Sequence, residues 1–170
     1  MHRKLMARAM VAMCAVGALT PVTAVALGSG GNAYASGSQI SCAKLSGNET
    51  SQKLSKCTGP LDIVGGKKAG TGTGTSTTAS SAPAGYEEGQ DVSWGKKGAG
   101  GSIVVGINFS FGSGCKGNPE STDTIVESGT VVSGTGNAST LVGDSATGTA
   151  CLNTKGAGKL SNEKGSDFTY

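Results

Sequence analysis

Carboxylates are the residues of this sequence that could do chemistry. Glu87, Glu88 and Asp91 form an acidic cluster, and paired carboxylates can serve as acid and base in glycoside hydrolysis. The segment EEGQD lacks the regular spacing of oxygen ligands found in calcium loops, so we interpret it as a solvated turn that leads into a strand. Because paired carboxylates can act on glycosidic bonds, the alternative function is an exported, carboxylate-dependent, glycan-active enzyme. Its candidate residues are Glu87, Glu88, Asp91, Asp123, Glu127 and Asp144.

Residue types that are absent after Ala35 exclude other chemistry. The single histidine, His2, and both arginines precede Ser36. Without histidine, residues 36–170 lack the base of Ser-His and Cys-His enzymes and the commonest transition-metal ligand. Without arginine they lack the bidentate clamp for phosphate. We therefore predict no catalytic residues, no metal site and no cofactor.

Two short motifs resemble those of known enzymes, and both have simpler explanations. Residues 112–117 match GxGxxG, but Asn118 and Pro119 follow where a dinucleotide-binding motif would open a helix. Four Ser-x-x-Lys matches lie outside any helical pattern, in a chain rich in serine. We interpret the first as a turn and the others as chance.

Four cysteines follow the leader, and they predict two disulfides. Cys42, Cys57, Cys115 and Cys151 are separated by 15, 58 and 36 residues, whereas structural zinc sites usually use closely spaced pairs. An even number of cysteines in an exported chain indicates a disulfide framework. Three connectivities are possible, and we favour Cys42 with Cys57 and Cys115 with Cys151 because each closes within a run of contiguous strands.

Residues 1–35 have the pattern of a signal peptide. A positively charged start is followed by an uncharged stretch over residues 9–27, and Ala33-Tyr34-Ala35 fits a small-x-small cleavage site. A retained membrane anchor is the alternative, since about 20 apolar residues suffice to cross a bilayer. Pro21 and the cleavage site favour removal. We therefore predict a protein that is secreted or held in the cell envelope, with no stable membrane span after cleavage.

The charge balance after Ala35 gives no sign of a nucleic-acid partner. Eleven lysines there face eleven carboxylates, so the +3 net charge of the whole chain comes from the leader. A neutral domain has no basic patch of the kind that binds phosphate backbones. A contact with the cell surface or with a glycan stays open.

The pattern of apolar residues predicts a single all-β domain over residues 36–170. In residues 102–111 (SIVVGINFSF), alternate residues from Ile103 to Phe111 are apolar, which predicts a strand with one buried face. About eight to ten short strands separated by Gly, Ser, Asn and Pro favour a β-sandwich or barrel.

Three further segments carry expectations of their own. Residues 65–85 hold no large apolar side chain, so we predict a flexible Gly/Ser/Thr loop. Phe168 and Tyr170 alternate near the carboxyl end, which predicts a closing strand. Trp94 is the single tryptophan, and we expect it to be packed inside, since an exposed indole would instead suggest stacking on a carbohydrate.

Several short segments together resemble a group of small secreted actinobacterial proteins of uncharacterised function. These segments are ISCAKLSG at residues 40–47, KCTGP at 56–60, VSWG at 92–95, SGTVVSGTG at 128–136, ACLNTKG at 150–156 and DFTY at 167–170. The resemblance implies a secreted, disulfide-containing β domain and supplies no active site. Our leading hypothesis is thus a non-enzymatic secreted β domain that acts at or beyond the cell surface, by binding or as an envelope component.

Overall fold

The computed structural model describes residues 39–118, 121–153 and 158–170, so the expected signal peptide lies outside the described residues. Nine strands run in chain order through this part of the chain, with a short helix α1 (Leu61–Val64) after the second strand and 3-10 turns at Lys96–Gly98 and Gly136–Leu141. The strands are β1 (Ser41–Asn48), β2 (Ser51–Thr58), β3 (Gly72–Thr78), β4 (Glu88–Trp94), β5 (Gly101–Ser113), β6 (Ser121–Thr135), β7 (Ser145–Asn153), β8 (Lys159–Asn162) and β9 (Phe168–Thr169).

The strands close into an eight-stranded antiparallel barrel with one extra strand. Each strand from β1 to β8 pairs with the next, and β8 pairs back onto β1. The short β9 also lies between β7 and β1, where Phe168 pairs with Cys42 and Thr169 pairs with Thr147. Closure leaves no long unpaired sheet edge. The predicted all-β class is confirmed, and its architecture is a barrel.

Side chains that alternate along the strands fill the closed end of the barrel. Ile103 and Val105 of β5 and Val92 and Trp94 of β4 are buried, as the period of two requires. Space for the large indole comes from β3, because a Cβ added at Gly74 would lie 2.8 Å from the ring of Trp94. Aromatic rings packed on glycines thus let a sparse set of apolar residues form a core, and the expected burial of Trp94 is confirmed.

The predicted flexible loop at residues 65–85 is wrong at its centre. Strand β3 occupies Gly72–Thr78 and pairs with both β2 and β4. Its inward positions, Gly72, Gly74 and Ser76, are buried beneath side chains of neighbouring elements. The strand therefore needs no large apolar residue of its own, since its backbone hydrogen bonds are made and its neighbours fill the space.

Both favoured disulfides are present. Cys42 and Cys57 are cross-strand partners on β1 and β2 with Cα atoms 4.0 Å apart. Cys115, in the turn after β5, is joined to Cys151 of β7 with Cα atoms 5.7 Å apart. The first disulfide links the two strands of the β1–β2 hairpin, and the second links the turn after β5 to strand β7.

The carboxyl-terminal segment closes the barrel as predicted. Ile40 and Tyr170 exchange two backbone N–H···O hydrogen bonds of 2.9 Å, and the Tyr170 side chain is buried. Phe111, in contrast, was expected inside and is 76% exposed. The pairing of β5 with β4 ends at Ile107, which pairs with Glu88. Because β5 continues beyond this pair, Phe111 lies at the rim of the barrel.

Candidate functional site

One end of the barrel opens into a cavity of about 270 Å³. Strands β2, β4, β5, β6, β7 and β8 and the turn between β1 and β2 supply its walls. Half of the lining is apolar and half is acidic or amide: Phe109, Phe111, Ile125, Leu152 and Leu160 on one hand, and Glu49, Gln52, Glu88, Gln90 and Glu127 on the other.

Strand register brings the two deepest carboxylates to the same cavity. Glu88 of β4 pairs with Ile107 of β5, and Glu127 of β6 pairs with Phe109 of β5. Ile107 and Phe109 are two residues apart, so their side chains point to the same face of β5. Glu88 and Glu127 therefore flank β5 on its inner side, one on each neighbouring strand.

Two buried glutamines lie beside these carboxylates with spare hydrogen-bonding capacity. Gln90 is 4% exposed, and its Oε1 accepts a hydrogen bond of 3.1 Å from Ser76 Oγ. Gln52 is 6% exposed, and its Nε2 donates to the carbonyl oxygen of Glu49 at 3.1 Å. Within the described part of the chain, Gln90 Nε2 and Gln52 Oε1 make no further hydrogen bond. Both side chains line the cavity.

Burial and mutual repulsion shift the protonation of the glutamates. Burial, and secondly the negative charge of Glu88, raises the pKa of Glu127 to about 7. Burial and the charge of Glu49 also raise the pKa of Glu88, while a hydrogen bond with Thr78 lowers it. Among the residues that the structure describes, none that lines the cavity is basic.

Glu127 also borders a second, smaller space of about 10 Å³ next to the carboxyl-terminal segment. The residues that line this space are Glu127, Ile107, Ala146, Thr147, Phe168 and Tyr170. The pKa of the Tyr170 hydroxyl is raised, first by burial and then by the charge of Glu127. The closing segment of the barrel thus borders the residue that forms the base of the cavity.

The structure gathers two of the six predicted candidate carboxylates and separates the rest. Glu88 and Glu127 share the cavity. Glu87 is exposed, and its Oε2 accepts a hydrogen bond of 2.9 Å from the Phe109 N–H. Asp91 is exposed on the outer face of β4, and neither Asp123 nor Asp144 lines the cavity.

Sequence reasoning missed Glu49, Gln52 and Gln90. Gln52 and Leu54 alternate on β2, and Gln90 and Val92 alternate on β4, which is the one signal that could have placed the glutamines inside. Glu49 lies in a turn whose position depends on barrel closure. No local pattern marks it.

Within residues 39–118, 121–153 and 158–170, no group of three or more His, Cys, Asp or Glu side chains is arranged to hold a metal ion. The same residues contain no helix long and apolar enough to span a membrane. No family model matches the chain, and neither a curated protein nor a solved structure shows significant similarity to it.

Proposed function

We propose that this protein is a secreted, non-enzymatic β-barrel that binds a small molecule in the cavity at its open end. One observation carries the proposal: a cavity lined by strands combines an apolar wall with two buried glutamine side chains, each of which makes one hydrogen bond with the described residues. Ligand pockets characteristically combine a mainly apolar lining with a few polar groups that orient the ligand.

The size of the cavity limits the ligand. Its volume of about 270 Å³ falls just below the roughly 300–1,000 Å³ typical of sites for drug-sized molecules. One ring, or two fused rings, with a short substituent matches this space. Action outside the cell is supported by the two disulfides, because such bonds persist in oxidising compartments.

Binding of a neutral aromatic probe tests this function. We expect 2-naphthol to bind with a change in its fluorescence, and we expect Ile125→Trp to abolish binding because the indole would occupy the cavity that Ile125 lines. Val132→Trp is the matched control, since Val132 lies on the same strand and is 36% exposed outside the cavity. Absence of binding to the unsubstituted protein, or equal binding by both variants, would contradict the proposal.

The glycan-active enzyme remains the second candidate, because Glu88 and Glu127 share one cavity. Two carboxyl groups in one cavity can serve as a general acid and its partner, and burial raises the pKa of Glu127 to about 7. Five of the ten lining residues are apolar, and sugar hydroxyl groups that faced them would lose water without compensation. Release of 4-nitrophenol from 4-nitrophenyl glycosides, lost in Glu127→Gln, would establish this candidate in place of the first.

A further inference from the structure

We propose that the ligand of the cavity is a small amphipathic cation, an organic ammonium group attached to a compact apolar body. This inference rests on the proposed function and specifies the chemical class of the ligand. Three independent features of the cavity support it: its charge, its buried amides and its apolar wall.

The charge of the cavity has one sign. Glu49 lies at the rim in the turn between β1 and β2, while Glu88 and Glu127 project from the barrel wall, and none of the described residues that line the same space is basic. Like charges in a partly desolvated site repel one another more strongly than in water. A cation placed among them replaces this repulsion with attraction, whereas an anion would increase it.

Among the carboxylates of the cavity, Glu127 would gain most from a positively charged partner. Its carboxylate forms no hydrogen bond or ion pair within the described residues, although it is largely buried between the two cavities. A buried carboxylate without a partner is costly. An ammonium group at the base of the larger cavity would supply both the opposite charge and N–H donors.

The buried glutamines point to the same ligand independently of charge. Gln52 Oε1 accepts no hydrogen bond from the described residues, in a side chain that is 6% exposed and lines the cavity. A polar atom that faces a cavity in this way can complete its hydrogen bonds with a ligand or with water. An ammonium group carries three donors, which matches an amide oxygen together with two carboxylates.

The apolar wall of the cavity indicates that the cation is an organic one. Phe109 and Phe111 have ring centroids 6.4 Å apart at an interplanar angle of 33°, and Ile125, Leu152 and Leu160 complete the wall. A hydrated metal ion would leave this surface wet, whereas an alkyl or aryl group would cover it. Aromatic faces also attract ammonium groups directly.

Calorimetric titration with three ligands of nearly equal size tests the inference. Phenethylamine, 2-phenylethanol and phenylacetate present the same ring with a positive, neutral or negative end. At pH 8 we expect the amine to bind the protein at least tenfold more tightly than the alcohol, and phenylacetate to bind most weakly. Glu127→Gln should weaken amine binding about tenfold and change alcohol binding much less. Asp91→Asn, which removes a carboxylate from the outer face of β4, should change neither.

The outcomes separate this inference from the function on which it rests. If the alcohol binds as tightly as the amine, or if only 2-naphthol binds, the cation is wrong and small-molecule binding stands. Displacement of the amine by micromolar CaCl₂ would replace the organic cation with a metal ion. If neither the three ligands nor 2-naphthol bind, both proposals fail.

Discussion

The rings of Trp94 and Tyr170 meet edge to face, with centroids 5.2 Å apart and planes at 76°. Trp94 ends β4, and Tyr170 follows β9, so this contact joins one wall of the barrel to the segment that closes it. Both side chains are buried. Edge-to-face pairs stabilise a fold beyond the area they bury.

Tyr170→Ala should therefore destabilise the whole barrel. Removing a large buried aromatic side chain costs about 3–5 kcal/mol, and the loss would also loosen the pairing of residues 167–170 with β1. Urea unfolding followed by Trp94 fluorescence measures the change. Tyr170→Phe keeps the ring and should cost far less. If the two variants lose the same stability, the ring contact is not what holds the segment.

Gly74→Ala should be destabilising although it adds one methyl group. The new Cβ would lie 2.8 Å from the Trp94 ring, and overpacking of this kind costs about 1–3 kcal/mol. Gly112→Ala is the matched control in another strand, because its Cβ would meet nothing closer than 3.7 Å. Thermal denaturation of both variants checks this expectation, and an unchanged melting temperature for Gly74→Ala would show that the indole can move aside.

Reduction should lower the melting temperature sharply. The two disulfides join cysteines that are 15 and 36 positions apart in the sequence. In the chain-entropy model, closing loops of these lengths stabilises the fold by about 3 and 4 kcal/mol, whereas the free energy of unfolding of a whole domain is about 5–15 kcal/mol. Calorimetric scans with and without reductant measure this effect. A melting curve that does not change on reduction, with free thiols verified by mass, would remove the disulfides from the account of stability.

The stability of the protein should fall as the pH rises through about 7. The pKa of Glu127 is near 4.5 in the unfolded chain and about 7 in the folded protein, so the folded state binds the proton more tightly. The resulting stabilisation is complete below about pH 4.5 and is lost as the pH rises through 7, on the order of 3 kcal/mol in all. The Glu127 carboxyl interacts with the charge of Glu88 and with the Tyr170 hydroxyl. Glu88 in turn interacts with the charge of Glu49.

Urea unfolding at pH 5 and pH 8 checks this dependence on pH. Glu127→Gln should flatten the profile between these values, because the amide does not titrate. Asp91→Asn should keep the profile of the unsubstituted protein, since Asp91 is exposed. Greater stability at pH 8 than at pH 5 would reverse the sign and contradict the assignment.

Local patterns predicted the strands whose inward residues are large, and failed for β3, whose inward residues are small. Alternating apolar residues marked β5, and alternate aromatic residues marked the closing segment. Strand β3 has Gly72, Gly74 and Ser76 inside, so nothing in its own sequence distinguishes it from a loop. Its inner space is filled by Trp94 and Val64, which lie elsewhere in the chain.

The cavity could be predicted only in part for a related reason. Glu88 and Glu127 were candidates by residue type, but their meeting depends on the order β4, β5, β6 and on the register of both pairs. Glu49 joins them only once the barrel has closed. Phe111 was assigned to the core because periodicity does not reveal where a partner strand ends.

A titration followed by ¹H–¹⁵N NMR tests the central claim most directly. Phenethylamine should shift the backbone amides of the residues that line the cavity, above all Glu88, Gln90, Glu127 and Leu152, in a saturable manner at pH 8. Amides on the outer face of β4, such as Asp91 and Ser93, should move much less. Shifts confined to the outer surface, or none at millimolar ligand, would contradict the claim that the open end of this barrel is a binding site.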